Sequence, residues 1–272
     1  MVITIAAPLS SRAEHDGKVQ IVLLGDSTTE GSIPRLHVKA GPHLEDVVRQ
    51  LLEAEGDLPA CNVINLGLSG DFFRRLLDGG RYEKQLSKLP GVDYVLIRFG
   101  LNDKGRRENF AVNFPADFHE LLARLRKDHP AAMLIPMTVI PYFDEANSHV
   151  VNDLIKQVAE QEKLTLFDIY PRYAAELKLQ GPNSLNYRRF ALDQIPEKYR
   201  DFVKPFLSGN PPKVEVMDTR LDAHFGTLPG WYGDRHPNLA GYHVIGDETA
   251  KFLAPLIRAK AKAQHGGATP RR

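Results

Sequence analysis

Five short apolar runs punctuate the first two thirds of the chain: 19–24 (VQIVLL), 61–66 (CNVINL), 93–99 (DYVLIRF), 132–138 (AMLIPMT) and 164–168 (LTLFD). Each is nearly continuous in hydrophobicity, the signature of a strand buried on both faces. Between them, at 43–55, 72–89, 115–129 and 147–163, apolar residues recur at helical spacing. Within PADFHELLARLRKDH, for instance, Phe118, Leu121, Leu122 and Leu125 fall on one helical face. Strands alternating with helices predict a parallel sheet, and right-handed crossovers cover both of its faces. The expected architecture is therefore α/β, a three-layer α/β/α sandwich on a central parallel sheet of about five strands.

The rhythm stops after residue 171. The stretch from about 177 to 230 mixes proline, aromatics and both signs of charge, and it is too long for an ordinary loop. Its aromatic content argues against disorder, so it reads as an insertion or lid within one domain spanning 1–272. A last helix is predicted over 238–260, with Val244, Ile245, Phe252, Leu253 and Leu256 as its buried stripe, before a tail expected to fray.

Composition narrows the function without naming it. A net charge of +1 gives no electrostatic reason to expect nucleic acid or an anionic membrane as partner. No apolar run approaches the ~20 residues that cross a bilayer. Cys61 is the single cysteine, which excludes an intrachain disulfide and a cysteine metal cluster and leaves a buried, inert thiol. The first eighteen residues are apolar but lack a basic leader. Localisation is thus cytoplasmic, or secreted or periplasmic if a signal was removed, and the oligomeric state is open.

Chemistry is suggested where strands end. GDST (25–28), NLGLSGD (65–71) and RFGLND (98–103) each follow an apolar run, and parallel strands bring such ends to one edge, where α/β proteins bind ligands. GDRHPNLAGYH (233–243) opens the last helix. Acyl transfer needs a hydroxyl nucleophile, a base, donors for the oxyanion and an acid to orient the base. Ser27 supplies the first and His236 the second. The N–H groups of Ser27 and Gly70 and the amide of Asn102 supply the third. Asp26 and Asp71 read as caps or braces for the loops. Asp222 and His224 form a second Asp-x-His pair, but nothing else in the chain has a metal-site pattern, so no metal is expected.

Those four blocks, in this order, resemble the SGNH (GDSL) hydrolases. The resemblance implies a flavodoxin-like sandwich, Ser27 as nucleophile, Gly70 and Asn102 in the oxyanion hole and His236 as base. GDST, GGRYEKQL and DYVLIRFGLND are most similar to rhamnogalacturonan acetylesterase-type carbohydrate esterases. By resemblance, then, the substrate is an O-acetylated carbohydrate and no cofactor is needed. The alternatives are a lipid-type or small-ester hydrolase using the same groups, or a carbohydrate-binding pseudoenzyme. The motive for the last is a departure from the family pattern. The family acid lies three residues before the histidine, where this chain has Gly233, so the acid role passes to Asp234, two residues before. Trp231, Tyr187 and Phe190 are candidate substrate-binding aromatics, with the core of a small subdomain as the other reading.

Overall fold

Val19 pairs with Cys61 on one side, and Ile21 with Tyr94 on the other. From these registers the computed structural model, which describes residues 17–142 and 144–266, builds a parallel sheet of four strands. They are β1 (Val19–Gly25), β2 (Cys61–Gly67), β3 (Tyr94–Arg98) and β4 (Met133–Pro136), in the order β2-β1-β3-β4.

The fifth expected strand is a correction. Residues 164–168 contribute one parallel bridge, Met137 to Phe167, with Phe167 N donating to the Pro136 carbonyl at 2.9 Å. Pro136 has no N–H to return toward that side, so the ladder is not extended there.

Alternation along the strands separates two cores. Ile21, Leu23, Leu96 and Ile135 join one buried cluster, and Val22, Leu24, Val95, Ile97 and Leu134 join the other. The turn after β1 leads into two short helices, α1 (Ser27–Glu30) and α2 (Ser32–His37). Helix α3 (Leu44–Ala54) packs in the first cluster, whereas α4 (Phe73–Asp78) packs in the second. After the short α5 (Leu101–Arg106), α6 (Phe110–Asp128) and α7 (Glu145–Gln161) also cover the second face. Helix α8 (Tyr170–Gln180) returns to the first, burying Tyr173. It lies where the sequence rhythm was read as broken; Pro171 stands in its first turn, where its missing N–H costs nothing.

Within the insertion, β5 (Arg188–Ala191), β6 (Leu207–Ser208) and β7 (Lys213–Val216) make an antiparallel sheet ordered β5-β7-β6. This sheet and the short α9 (Asp222–Phe225) enclose a separate cluster that includes Phe190, Val214, Phe225 and Trp231. The chain then closes with α10 (Leu239–Gly266) against α3 on the first face. Residues 1–16, read above for a leader, and the tail at 267–272 lie outside the described residues. Among the described residues, no helix is long and apolar enough to cross a membrane.

Strand order reverses between β1 and β3, and the crevice at their carboxyl ends is where such sheets bind ligands. Ser27 follows β1 and Asn102 follows β3 at that point.

Candidate active site

Asp26, buried at the end of β1, accepts the N–H and the hydroxyl of Thr28 on Oδ1, each at 2.8 Å. Burial pushes its pKa up, opposed by the Thr28 bonds and the Arg98 guanidinium. Asp26 is thus the N-cap of α1, and Ser27 is not needed for capping. The Ser27 hydroxyl lies 2.8 Å from His236 Nε2. Tyr242 of α10 donates its hydroxyl to the Ser27 carbonyl at 3.0 Å, fixing the peptide that carries it.

The other ring nitrogen, His236 Nδ1, is 2.6 Å from Asp234 Oδ1. The same oxygen accepts the His236 backbone N–H at 3.0 Å. This is an Asx turn, in which a carboxylate folds back on the residue two positions ahead, and it brings the side chain to the imidazole from the shorter spacing. Position 233 has little room for a side chain: a Cβ there would stand 3.0 Å from the Gly230 carbonyl oxygen. Asp234 Oδ2 accepts the Tyr187 hydroxyl at 3.1 Å. Burial opposes the carboxylate's charge, but the bonds from His236 and Tyr187 outweigh it and hold the Asp234 pKa below its ordinary value.

The histidine loop is held by the insertion. Tyr187 N donates to the His236 carbonyl at 3.2 Å, and Asn186 bridges Pro237 in antiparallel fashion. Asn238 caps the start of α10 through Gly241 N at 3.0 Å, while its amide donates to the Ser184 and Asn186 carbonyls. The HPN triplet therefore docks three elements together.

On the other side of Ser27, Gly70 adopts φ +73°, a left-handed conformation that favours glycine. The preceding residue is clamped by Glu30, which accepts both the Ser69 N–H at 2.7 Å and the Ser69 hydroxyl. Asn102 donates one amide hydrogen to the Asp71 carbonyl at 3.0 Å and lines the cavity. Its neighbour Asp103 accepts Phe73 N at 2.9 Å and Gly100 N at 3.0 Å, tying α4 to the turn after β3. Burial pushes the Asp103 carboxyl up to about 7, against those bonds. Asp71 receives Arg81 at 2.6 Å, a loop brace as expected.

Ser27, Gly70, Asn102, Tyr187 and His236 open into one cavity of about 580 Å³. A seryl oxygen, an imidazole, a carboxylate and neutral donors in this order are the groups that acyl transfer requires.

The profile of the GDSL-like Lipase/Acylhydrolase family matches residues 23–187. The chain belongs to that family. Membership places it among ester hydrolases. Its fold is shared with LAE5, described as an α/β hydrolase enzyme from the metagenome of Lake Arreo, Spain, at 22% identity over 90% of this chain and 97% of that one (TM-score 0.54). Axe2, an acetylxylan esterase from Geobacillus stearothermophilus, is similar at 20% identity, covering 87% and 94% of the two chains (TM-score 0.53). A member of the lipolytic G-D-S-L family from Veillonella parvula matches at 14% identity over 86% and 97% (TM-score 0.52). No curated protein matches the sequence.

The GDSL match ends before His236, and it is the return of α10 to the sheet that brings this histidine to Ser27. Two expected substrate-binding aromatics are not part of this constellation. Trp231 and Phe190 are buried in the insertion's own core, and Trp231 Nε1 donates to Asp222 at 2.8 Å. Asp222 also pairs with Arg188 at 2.6 Å, so the Asp-x-His pair at 222–224 serves the subdomain.

Tyr142, Arg106 and Arg189 are among the cavity residues that escaped the sequence reading. The Tyr142 hydroxyl lies 3.1 and 3.2 Å from the two ring nitrogens of His236, with the rings at 89°. Those nitrogens point in divergent directions, so the hydroxyl stands over the imidazole face rather than on either axis. Arg106 and Arg189 also line the wall. Tyr142 follows the fourth apolar run at the same sheet edge, which was a usable signal. Arg189 is two residues from Tyr187 on an extended segment, and that alternation was visible only once the strand was known.

Proposed function

We propose that this GDSL-family protein removes O-acetyl groups from carbohydrates by a serine mechanism. Ser27 Oγ attacks the ester carbonyl carbon as its proton passes to His236 Nε2. The carbonyl oxygen gains the negative charge and is met by the N–H groups of Ser27 and Gly70 and the Asn102 amide. Loss of one such donor typically costs about 3–4 kcal/mol in the transition state. Asp234 holds the Nδ1 proton, fixing the tautomer and stabilising the imidazolium. Collapse of the intermediate expels the sugar hydroxyl, which takes the proton from Nε2. Water then attacks the acyl–Ser27 ester, giving its proton to Nε2, and acetate leaves as Ser27 regains a proton.

The observation that carries this reading is the unbroken line from Ser27 Oγ through His236 to Asp234, at 2.8 and 2.6 Å, at the edge of the cavity. The acyl and alcohol preferences rest on the wall. Its aliphatic residues are Ile33 and Leu101, enough for a methyl group, whereas Ser32, Ser69, Asn102, Arg106, Tyr142, Tyr187 and Arg189 offer hydrogen bonds. That favours a short acyl group on a polar alcohol over a lipid chain, and Axe2, acting on acetylated xylan by its name, has the same fold.

Acetate release from acetylated xylan and acetylated pectin, set beside hydrolysis of aryl acetate and aryl octanoate, tests it. Acetate from either polysaccharide, with acetate preferred to octanoate, is expected. Preference for octanoate with no acetate from polysaccharide favours the lipid-type reading.

A further inference from the structure

Arg98 ends β3, an otherwise apolar strand, and is only 2% exposed. Register sets it beside Gly25, the residue before Asp26. Alternation puts it on the face of Tyr94 and Leu96, where Tyr173 and Tyr242 are also buried. A buried guanidinium is unusual unless it is paired. Arg188, also buried, holds Asp222 through two bonds at 2.8 and 2.6 Å. Arg98 has no such partner. It donates one N–H to the Thr28 carbonyl, while its Nε and Nη1 are buried with no hydrogen-bond partner among the described residues. Asp26 is its counterpart. At 1% exposure, its Oδ1 takes the Thr28 N–H and hydroxyl, and its Oδ2 is buried with no hydrogen-bond partner among the described residues.

A carboxylate and a guanidinium thus grip Thr28, next to Ser27, by its N–H and by its carbonyl. Holding the turn does not by itself call for charge on either. Asparagine caps a helix start as well as aspartate does, and any N–H donor serves a carbonyl. Charge is what this pair adds, and each ion withdrawn from water is offset only by the other. Burial pushes the Asp26 pKa up, against the Thr28 bonds, the Arg98 charge and His236. Burial pushes that of Arg98 down, and Asp26 is foremost among the groups that resist this. Arginine keeps its proton in proteins. The guanidinium is therefore the fixed charge, and Asp26 is the group that responds to it.

Asp26 immediately precedes Ser27, whose hydroxyl is 2.8 Å from His236 Nε2. The attraction between Asp26 and His236 is mutual, so an anion at Asp26 favours the imidazolium that forms when His236 takes the Ser27 proton. Other titratable groups also face the pair: Tyr142 after β4, Tyr242 on α10 and Asp103 on α5 face Asp26, and Tyr173 on α8 faces Arg98. Burial pushes the three tyrosines up and keeps them neutral, whereas it pushes Asp103 up to about 7, inside the range of an assay. We propose that Arg98 is a positioning residue for acyl transfer: its charge holds Asp26 as a carboxylate, and Asp26 joins Asp234 in supporting the imidazolium on His236. The inference rests on the serine-mechanism reading above.

The test is a cycle of charge removals read by aryl acetate hydrolysis, with each rate normalised to the Ser27 that a fluorophosphonate labels. Asp26→Asn keeps the cap and removes its charge, Arg98→Gln removes the other charge, and Arg98→Lys retains it. Near neutral pH, Asp26→Asn and Arg98→Gln should each lower kcat and kcat/KM by about 10- to 100-fold, the scale of one charge acting on another through protein. Arg98→Lys should recover most of the rate. The Arg98→Gln deficit should shrink from about pH 6 to about pH 9, because Asp26 without its partner ionises late. On the Asp26→Asn background, Arg98→Gln should lower the rate by no more than about threefold at any pH. That background keeps Asp103, so it separates the two carboxyl groups. Unchanged rates in the single variants, or an equal Arg98→Gln loss on both backgrounds, overturn the proposal and leave the serine mechanism standing. If a single variant does not fold, the neutral double variant decides. Its loss should still be about 10- to 100-fold, and a wild-type rate in it overturns the proposal. No hydrolysis by the wild type overturns this inference and the serine reading together.

Discussion

Tyr187, at the start of the insertion's sheet, donates its hydroxyl to Asp234 Oδ2 at 3.1 Å, so a residue from outside the four sequence blocks holds the carboxylate that orients His236. The insertion is thereby joined to the Ser27–His236–Asp234 line as well as to the cavity wall. Tyr187→Phe keeps the ring and removes this bond. A fall in kcat for aryl acetate of about 3- to 10-fold is expected, the worth of a typical hydrogen bond. Steady-state kinetics would contradict the role by returning an unchanged kcat.

Asp234→Asn removes the charge itself. Loss of kcat by roughly 1,000- to 10,000-fold is expected, as when a triad carboxylate is replaced by an amide. A loss below tenfold would point to another group orienting the ring.

The same substitution has a pH signature in stability. The native pKa of Asp234 lies below its ordinary value of 3.8 because His236 and Tyr187 hydrogen bonds outweigh burial. The unfolded chain therefore binds the proton first as pH falls. The carboxylate's contribution is complete above the ordinary value and is lost as pH drops through the native one. Urea midpoints of wild type and variant should differ at pH 7 and converge below about pH 3.8. An equal difference at both ends would mean that the carboxylate is not stabilised in the native state.

Trp231→Ala tests the reassignment of that residue from substrate contact to core. The indole is fully buried, packs on Phe225 at 5.2 Å and Phe190 at 5.5 Å, and donates to Asp222. A loss of about 3–5 kcal/mol in unfolding free energy is expected, typical of truncating a buried aromatic. Unchanged stability with a raised KM would restore the sugar-platform reading.

What the sequence made legible follows from how local each signal is. The strands beginning at Val19, Tyr94 and Met133 are largely buried apolar runs, and the edge strand at Cys61 still buries Cys61 and Val63, so such runs announce themselves. The polar clusters after the first three then fall at one edge by topology alone, which is why Ser27, Gly70 and Asn102 were found together. The fifth strand was overcalled because its pairing depended on Pro136, a residue of the neighbouring strand. The insertion's sheet was missed because its strands have two to four residues, too few for a period to register. Arg189 was hidden for a related reason, since it reaches the site from a distant segment, whereas Tyr142, just after the fourth apolar run, lay at an edge the topology already marked.

The most direct measurement is the rate of aryl acetate hydrolysis by Ser27→Ala beside that of the wild type, with unchanged circular dichroism showing that the fold is intact. If Ser27 is the nucleophile, kcat should fall by more than about 1,000-fold, the scale of losing a catalytic serine, and a fluorophosphonate that labels the wild type should leave the variant unlabelled. A folded variant that keeps more than a few per cent of wild-type activity would contradict the account.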